Sequence, residues 1–127
     1  MMNWIAVFIG GGLGSLARYG LSFVFTSPSA TVFPWATLAA NTISSLIIGF
    51  LMGMGLAGKE TTDSVWKSLL AVGFCGGFST FSAFSMETIE LAKSGMMQQA
   101  IIYATSSLML CLGATLAGMW FVRQWFI

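Results

Sequence analysis

The chain has 127 residues, 57% of them hydrophobic and only 7% charged, with a mean hydropathy of +0.87. A soluble domain carries about 25% charged residues, so these few charges cannot cover a folded surface in water, and the length allows one domain over residues 1–127. There is no histidine, and the two cysteines, Cys75 and Cys111, lie inside apolar runs. A Cys/His zinc site, a disulfide framework and a His-based triad are therefore excluded. With no nucleophile–base pair available, an enzyme is not expected. A net charge of +1 offers nothing to a nucleic-acid backbone. What remains is an all-α protein embedded in a lipid bilayer.

Residues 1–17 are uncharged and Arg18 follows; the first spanning helix is predicted at about 3–25. It is not expected to be a cleaved signal peptide, because it lacks a basic leader and further spans follow it. Gly10 and Gly14 have the small-xxx-small spacing that lets backbones approach in lipid. Arg18 either snorkels to the interface or forms an anion-attracting vestibule. Residues 19–58 are again uncharged, and they contain the turn signals Thr26-Ser27-Pro28-Ser29 and Pro34. A second helix is predicted at about 33–57. Thr37, Asn41, Ser44 and Ser45 share one of its faces. Asn41 sits near mid-span, where it can hydrogen-bond to another helix or offer two amide donors to an anion. Gly49 and Gly53 repeat the small-xxx-small spacing.

Lys59, Glu60, Asp63 and Lys67 mark a polar loop before a third helix at about 66–92. Within it runs Gly73-Phe74-Cys75-Gly76-Gly77-Phe78-Ser79-Thr80-Phe81-Ser82-Ala83-Phe84-Ser85. The glycines followed by hydroxyls predict a break at Gly76-Gly77, tolerated in a membrane only where it is buried or lines a cavity. Carbonyls freed there carry partial negative charge and suit a hard cation. Phe81 and Phe84 lie on one face, continued by Thr80 and Glu87, with Ser79, Ser82 and Ser85 alongside. A phenyl ring has a positive edge; rings flanked by hydroxyls and the Asn41 amide suit a small anion. No Lys or Arg sits mid-span, and neutral donors let an anion leave, as conduction requires.

A fourth helix is predicted at about 96–122. It adds Tyr103 and Ser107 at i,i+4, which either join the polar track or bond to their own preceding turn. Ala114 and Gly118 again have small-residue spacing. Four spans put both termini and the 58–65 loop on one side, with Lys59, Lys67 and Arg123, against Arg18 and Lys93 on the other. So small a Lys/Arg bias fixes orientation weakly. It fits either a protein oriented by other details or one that inserts both ways and pairs antiparallel.

These segments resemble the Fluc or CrcB family of small bacterial fluoride channels, over the whole chain. The resemblance rests on Gly10-Gly11-x-x-Gly14-x-x-x-Arg18-Tyr19, on Thr37-Leu38-x-x-Asn41 and, most specifically, on the run from Gly73 to Phe84. It implies a fluoride-selective channel that passively exports fluoride across the bacterial cytoplasmic (inner) membrane. The fold it implies is a multi-pass, antiparallel, dual-topology homodimer with two pores and a structural Na⁺ at its centre. By the same resemblance Asn41, Phe81, Ser82 and Phe84 face fluoride, with Thr37, Thr80, Glu87, Tyr103 and Ser107 on the polar track. The backbone carbonyls of Gly76 and Ser79 hold the Na⁺. Ser79, Ser44, Ala36 and Ala83 depart from the usual pattern. The competing reading, a four-helix dual-topology drug/proton antiporter, needs an embedded carboxylate on an early helix, and the first two helices contain none.

Overall fold

The computed structural model describes residues 1–25, 33–55 and 65–126. The described residues form helices. The first, α1, is Met2–Phe25, and α2 is Trp35–Gly53. The third span is built from two pieces. Its first piece, α3, runs through Val65–Lys67, the π-helical stretch Ser68–Cys75 and Gly76–Phe78; its second, α4, is Phe81–Lys93. The last helix, α5, is Met97–Phe126. Four stretches are long and apolar enough to cross a membrane: Met2–Phe25, Trp35–Gly53, Val65–Lys93 and Met97–Trp125. The turn signals at 26–29, the charged loop residues Lys59, Glu60 and Asp63, and positions 56–57 lie outside the described residues.

One difference from the expected boundaries has a local cause. Helix α2 stops at Gly53, four residues early, because Gly55 takes a left-handed conformation with φ 71° and turns the chain away. Between α4 and α5 the chain reverses at Gly95, φ 80°. There Met96 N–H donates to the Leu91 carbonyl (3.0 Å) and Gly95 N–H to the Ala92 carbonyl (3.2 Å). This pair of bonds is the Schellman ending that glycine favours.

Lipid tails are as apolar as leucine, so helices in a bilayer associate through close packing rather than hydrophobic exclusion. The glycines provide it. A Cβ at Gly49 would strike the Thr115 backbone of α5, and one at Gly118 would strike Leu46 and Gly49 of α2. Farther along, Gly53 faces Met119 and Val122. Residue numbers rise together across this seam, so α2 and α5 run parallel. On the other side, Gly10 and Gly14 of α1 press against the backbone of α3 at Leu69, Phe74 and Phe78. A compact apolar cluster of Leu38, Leu91, Ala100 and Tyr103 ties α2, α4 and α5 together at one end. Elsewhere large apolar side chains point outward, among them Phe8, Leu116 and Trp125, as a lipid-facing surface requires.

The α2–α5 seam sets a stability prediction. Gly49→Leu forces the two backbones apart, and overpacking of this kind costs about 1–3 kcal/mol or more. Thermal unfolding in detergent should shift clearly downward. Gly113→Ala, which adds its methyl to open space on the same helix, should leave the transition where it is.

Candidate functional site

The site is organised by the interruption between α3 and α4. Ser79 (φ −80°, ψ 157°) and Thr80 (φ −155°, ψ 122°) are extended. The break expected at Gly76-Gly77 is not there: Gly76 is helical, φ −64° and ψ −35°, and Gly76–Phe78 continue the helix. Glycine permits a break without imposing one. Gly77 meets a packing need instead, since a Cβ on it would run into the Gly11 backbone. What interrupts the helix is competition from side chains for its backbone groups.

Asn41 of α2 supplies that competition. Its Oδ1 accepts from Thr80 N–H at 2.7 Å, and its Nδ2 donates to the Thr80 carbonyl at 3.1 Å. The amide thus splints one residue of extended backbone inside the membrane, where bare groups cost several kcal/mol. Thr80 then caps α4, its Oγ1 accepting from Ala83 N–H at 3.2 Å. Two of the four carbonyls at the end of α3 lose their helical donors to these side chains. Thr80 N–H, which a continuous helix would give to Gly76, goes to Asn41; Ala83 N–H, due to Ser79, goes to the Thr80 hydroxyl. A third carbonyl, Gly77, accepts from Arg18 Nε at 3.2 Å. Arg18 thus reaches across from α1 to the backbone beside the break.

Asn41→Ala removes both splinting bonds and leaves the N–H and carbonyl of Thr80 unpaired. Each stranded group costs about 1–3 kcal/mol, so a thermal melt should show a larger loss than truncation of a surface residue.

Beside the break lies a cavity of about 290 Å³ lined by Asn41, Thr80, Phe81, Phe84 and Ser107, all singled out by sequence. Ser45, Ser79, Leu108 and Cys111 complete its wall. The cavity opens on one side, and Phe81 is 78% exposed on the single chain. Ring centroids of Phe81 and Phe84 are 5.4 Å apart, and those of Phe84 and Tyr103 are 5.3 Å apart. An aromatic line therefore leads from the break to Tyr103. Ser107 is buried, and among the described residues its hydroxyl has no hydrogen-bond partner. By contrast Ser106 and Thr115 on the same helix bond back to Tyr103 and Cys111.

At the far end of the line, Glu87 gathers two hydroxyls. Thr37 Oγ1 donates to its Oε1 and Tyr103 to its Oε2, both at 2.7 Å. Glu87 also borders an outer hollow of about 480 Å³ with Pro34, Glu90, Leu91, Lys93 and Ser94. The cluster thus stands between the cavity's aromatic line and this mouth. Thr37, Glu87 and Tyr103 lie beyond this cavity's lining, and so does Ser82. One step beyond Phe81, it lies roughly 100° round the helix, exposed, with its Oγ 3.1 Å from Thr80 Oγ1.

Sequence reasoning did not assign Ser45, Leu108 or Cys111 to the site. Two of them carried a usable signal: Ser45 is one helical turn beyond Asn41, and Cys111 one turn beyond Ser107. Among the described residues no cluster of His, Cys, Asp or Glu is arranged to hold a metal.

A multi-pass helical membrane protein, with a seam of neutral polar groups and phenylalanines at a helix interruption, is the class that fold and site define. Over residues 5–119 the chain matches the CrcB-like protein family, Camphor Resistance (CrcB), and it belongs to that family. It is similar to the protein named fluoride-specific ion channel FluC from Nitrobacter winogradskyi, 40% identical across 96% of this chain and 98% of that one. A protein of the same name from Escherichia coli is 43% identical across 91% and 90%. Another from Thermus thermophilus is 40% identical across 87% and 86%.

Proposed function

We propose that this chain is a fluoride channel that lets the anion leave the cytoplasm passively through the bacterial inner membrane. The observation that carries the reading is the cavity at the break. It brings two phenylalanine rings, the buried and unpartnered Ser107 hydroxyl and the Asn41 amide to one place. Asn41 commits one N–H to Thr80 and keeps the other. A small, strongly hydrated anion entering here exchanges water for hydroxyl and amide donors and for electropositive ring edges. None of the lining residues is charged, so the anion is held weakly enough to move on. The relatives named as fluoride-specific channels support the choice of anion.

The working unit in this reading is an antiparallel homodimer whose subunits insert in both orientations. Support comes from Phe81, largely exposed on one chain, from Gly76, which faces open space, and from the balanced Lys/Arg placement. A second copy closes the open side of the cavity. A structural Na⁺ at the centre fits the same backbone. The Gly76 and Ser79 carbonyls, with their helical donors diverted, would hold it, and it would supply positive charge tying the two subunits together. Neutral oxygens and no carboxylate match a monovalent hard cation.

A bacterial strain lacking its own fluoride exporter tests the reading. Expression of this chain should restore growth in fluoride-containing medium. Correctly inserted protein that gives no protection would contradict it.

A further inference from the structure

One group on the cavity wall has no part in the fluoride reading. Cys111 of α5 is half-buried and lines the cavity at the break. Its sulfur is soft and polarizable, whereas the other polar side chains on that wall are amide and hydroxyl groups. A thiol is a weak hydrogen-bond donor, so a hydrated anion gains little from it. The second cysteine of the chain, Cys75, is 2% exposed in α3 and outside this lining.

Cys111 does not stand alone. One helical turn before it, Ser107 lines the same cavity and is only 6% exposed. Among the described residues its hydroxyl has no hydrogen-bond partner. Buried hydroxyls are nearly always paired, and a serine on a helix has a ready acceptor in the preceding turn. Ser106 uses it, bonding to the Tyr103 carbonyl at 3.2 Å. Ser107 does not, which leaves its hydroxyl for something the cavity holds. Residues one turn apart have Cβ atoms about 5–6 Å from each other, close enough for one ion and its water to touch both. The cavity, about 290 Å³, has ample room, since a water's share of the liquid is about 30 Å³.

Charge decides the class of ion. None of the lining residues is charged, and a net charge at membrane depth is costly. The thiolate is the form that binds metal, so the ion takes the place of the thiol proton, which leaves to water: Cys–SH + M⁺ → Cys–S–M + H⁺. A monovalent cation keeps the site neutral. A divalent one leaves a positive charge that no carboxylate in the lining offsets. Thiolate sulfur also selects soft ions such as Cu⁺.

We propose that Cys111 and Ser107 form a binding site for a soft monovalent cation, Cu⁺ or Ag⁺, with the ion on the Cys111 sulfur and its water on the Ser107 hydroxyl. An occupied chain loses the Ser107 donor and part of the cavity, so its fluoride flux falls. That consequence rests on the fluoride reading, while the binding does not.

Silver is the probe, because Ag⁺ needs no reductant and its fluoride salt is soluble. Purified full-length protein in chloride-free detergent buffer is given silver nitrate. Excess free methionine then clears silver from the nine methionine thioethers, and the silver retained after desalting is counted by native mass spectrometry. Wild type and Cys75→Ala should each keep one ion per chain, and Cys111→Ser none. Ser107→Ala should bind silver but surrender it at a lower methionine concentration. In liposomes, silver on both sides should remove most of the wild-type fluoride flux and leave the flux of Cys111→Ser, whatever its size, at its own silver-free value. Equal retention by Cys111→Ser, no retention by wild type, or Ser107→Ala indistinguishable from wild type would overturn the proposal. So would undiminished flux through protein that carries the ion. Protein that retains silver as described, yet conducts no fluoride with or without it, would uphold the site and remove the channel reading instead.

Discussion

Phe81→Leu and Phe84→Leu should each give a folded protein, and in at least one of them fluoride flux should fall tenfold or more. Hydrophobic swaps of similar size cost under about 1.5 kcal/mol, and Phe81 is only slightly buried within its own chain, so the fold has little to lose. The pathway has more. Leucine keeps much of the volume but has no electropositive ring edge, and both rings line the cavity beside Asn41 and Ser107. A tenfold drop in rate needs only about 1.4 kcal/mol at the barrier, a modest demand on an ion–quadrupole contact. Flux measured at wild-type levels in both folded variants would return the pair to packing.

The second large effect concerns the cation. Replacing all Na⁺ with a large organic cation should slow fluoride flux severely and weaken the dimer, while Na⁺ itself does not cross. The reasoning starts from the backbone. Asn41 and the Thr80 hydroxyl take the N–H groups that a continuous helix would have given to the Gly76 and Ser79 carbonyls. Carbonyls so deprived need another positive partner at membrane depth, where leaving one bare costs several kcal/mol. Flux and dimer fraction that survive exhaustive Na⁺ removal, with anomalous scattering detecting no heavier cation after exchange, would rule out an ion at the break.

The four spans were legible because charge in this chain is confined to a few positions and the long uncharged runs between them have the length of a bilayer crossing. The packing glycines were legible too: the spacing of Gly10 with Gly14 and of Gly49 with Gly53 reappears as backbone contact. The position of the interruption was not. Gly76 and Gly77 are the weakest helix formers in the run, yet they stay helical, and the extended residues are Ser79 and Thr80. The deciding partner, Asn41, lies 39 residues away in sequence, and no local rule announces a contact at that separation. The Thr37–Glu87–Tyr103 cluster has the same character, joining residues 50 and 16 positions apart. Arg18 bonds to Gly77, 59 residues away, a contact that no local pattern announced. Local pattern located the polar residues on their helices, while only the packing of α2 against the break decided which of them meet.

The most direct test of the account is fluoride efflux from liposomes that contain this purified protein and no other, with a potassium ionophore to dissipate charge and a fluoride electrode outside. The account predicts rapid efflux of fluoride and almost none of chloride from matched vesicles. Efflux no faster than from protein-free liposomes, by protein shown to be folded and dimeric, would contradict it.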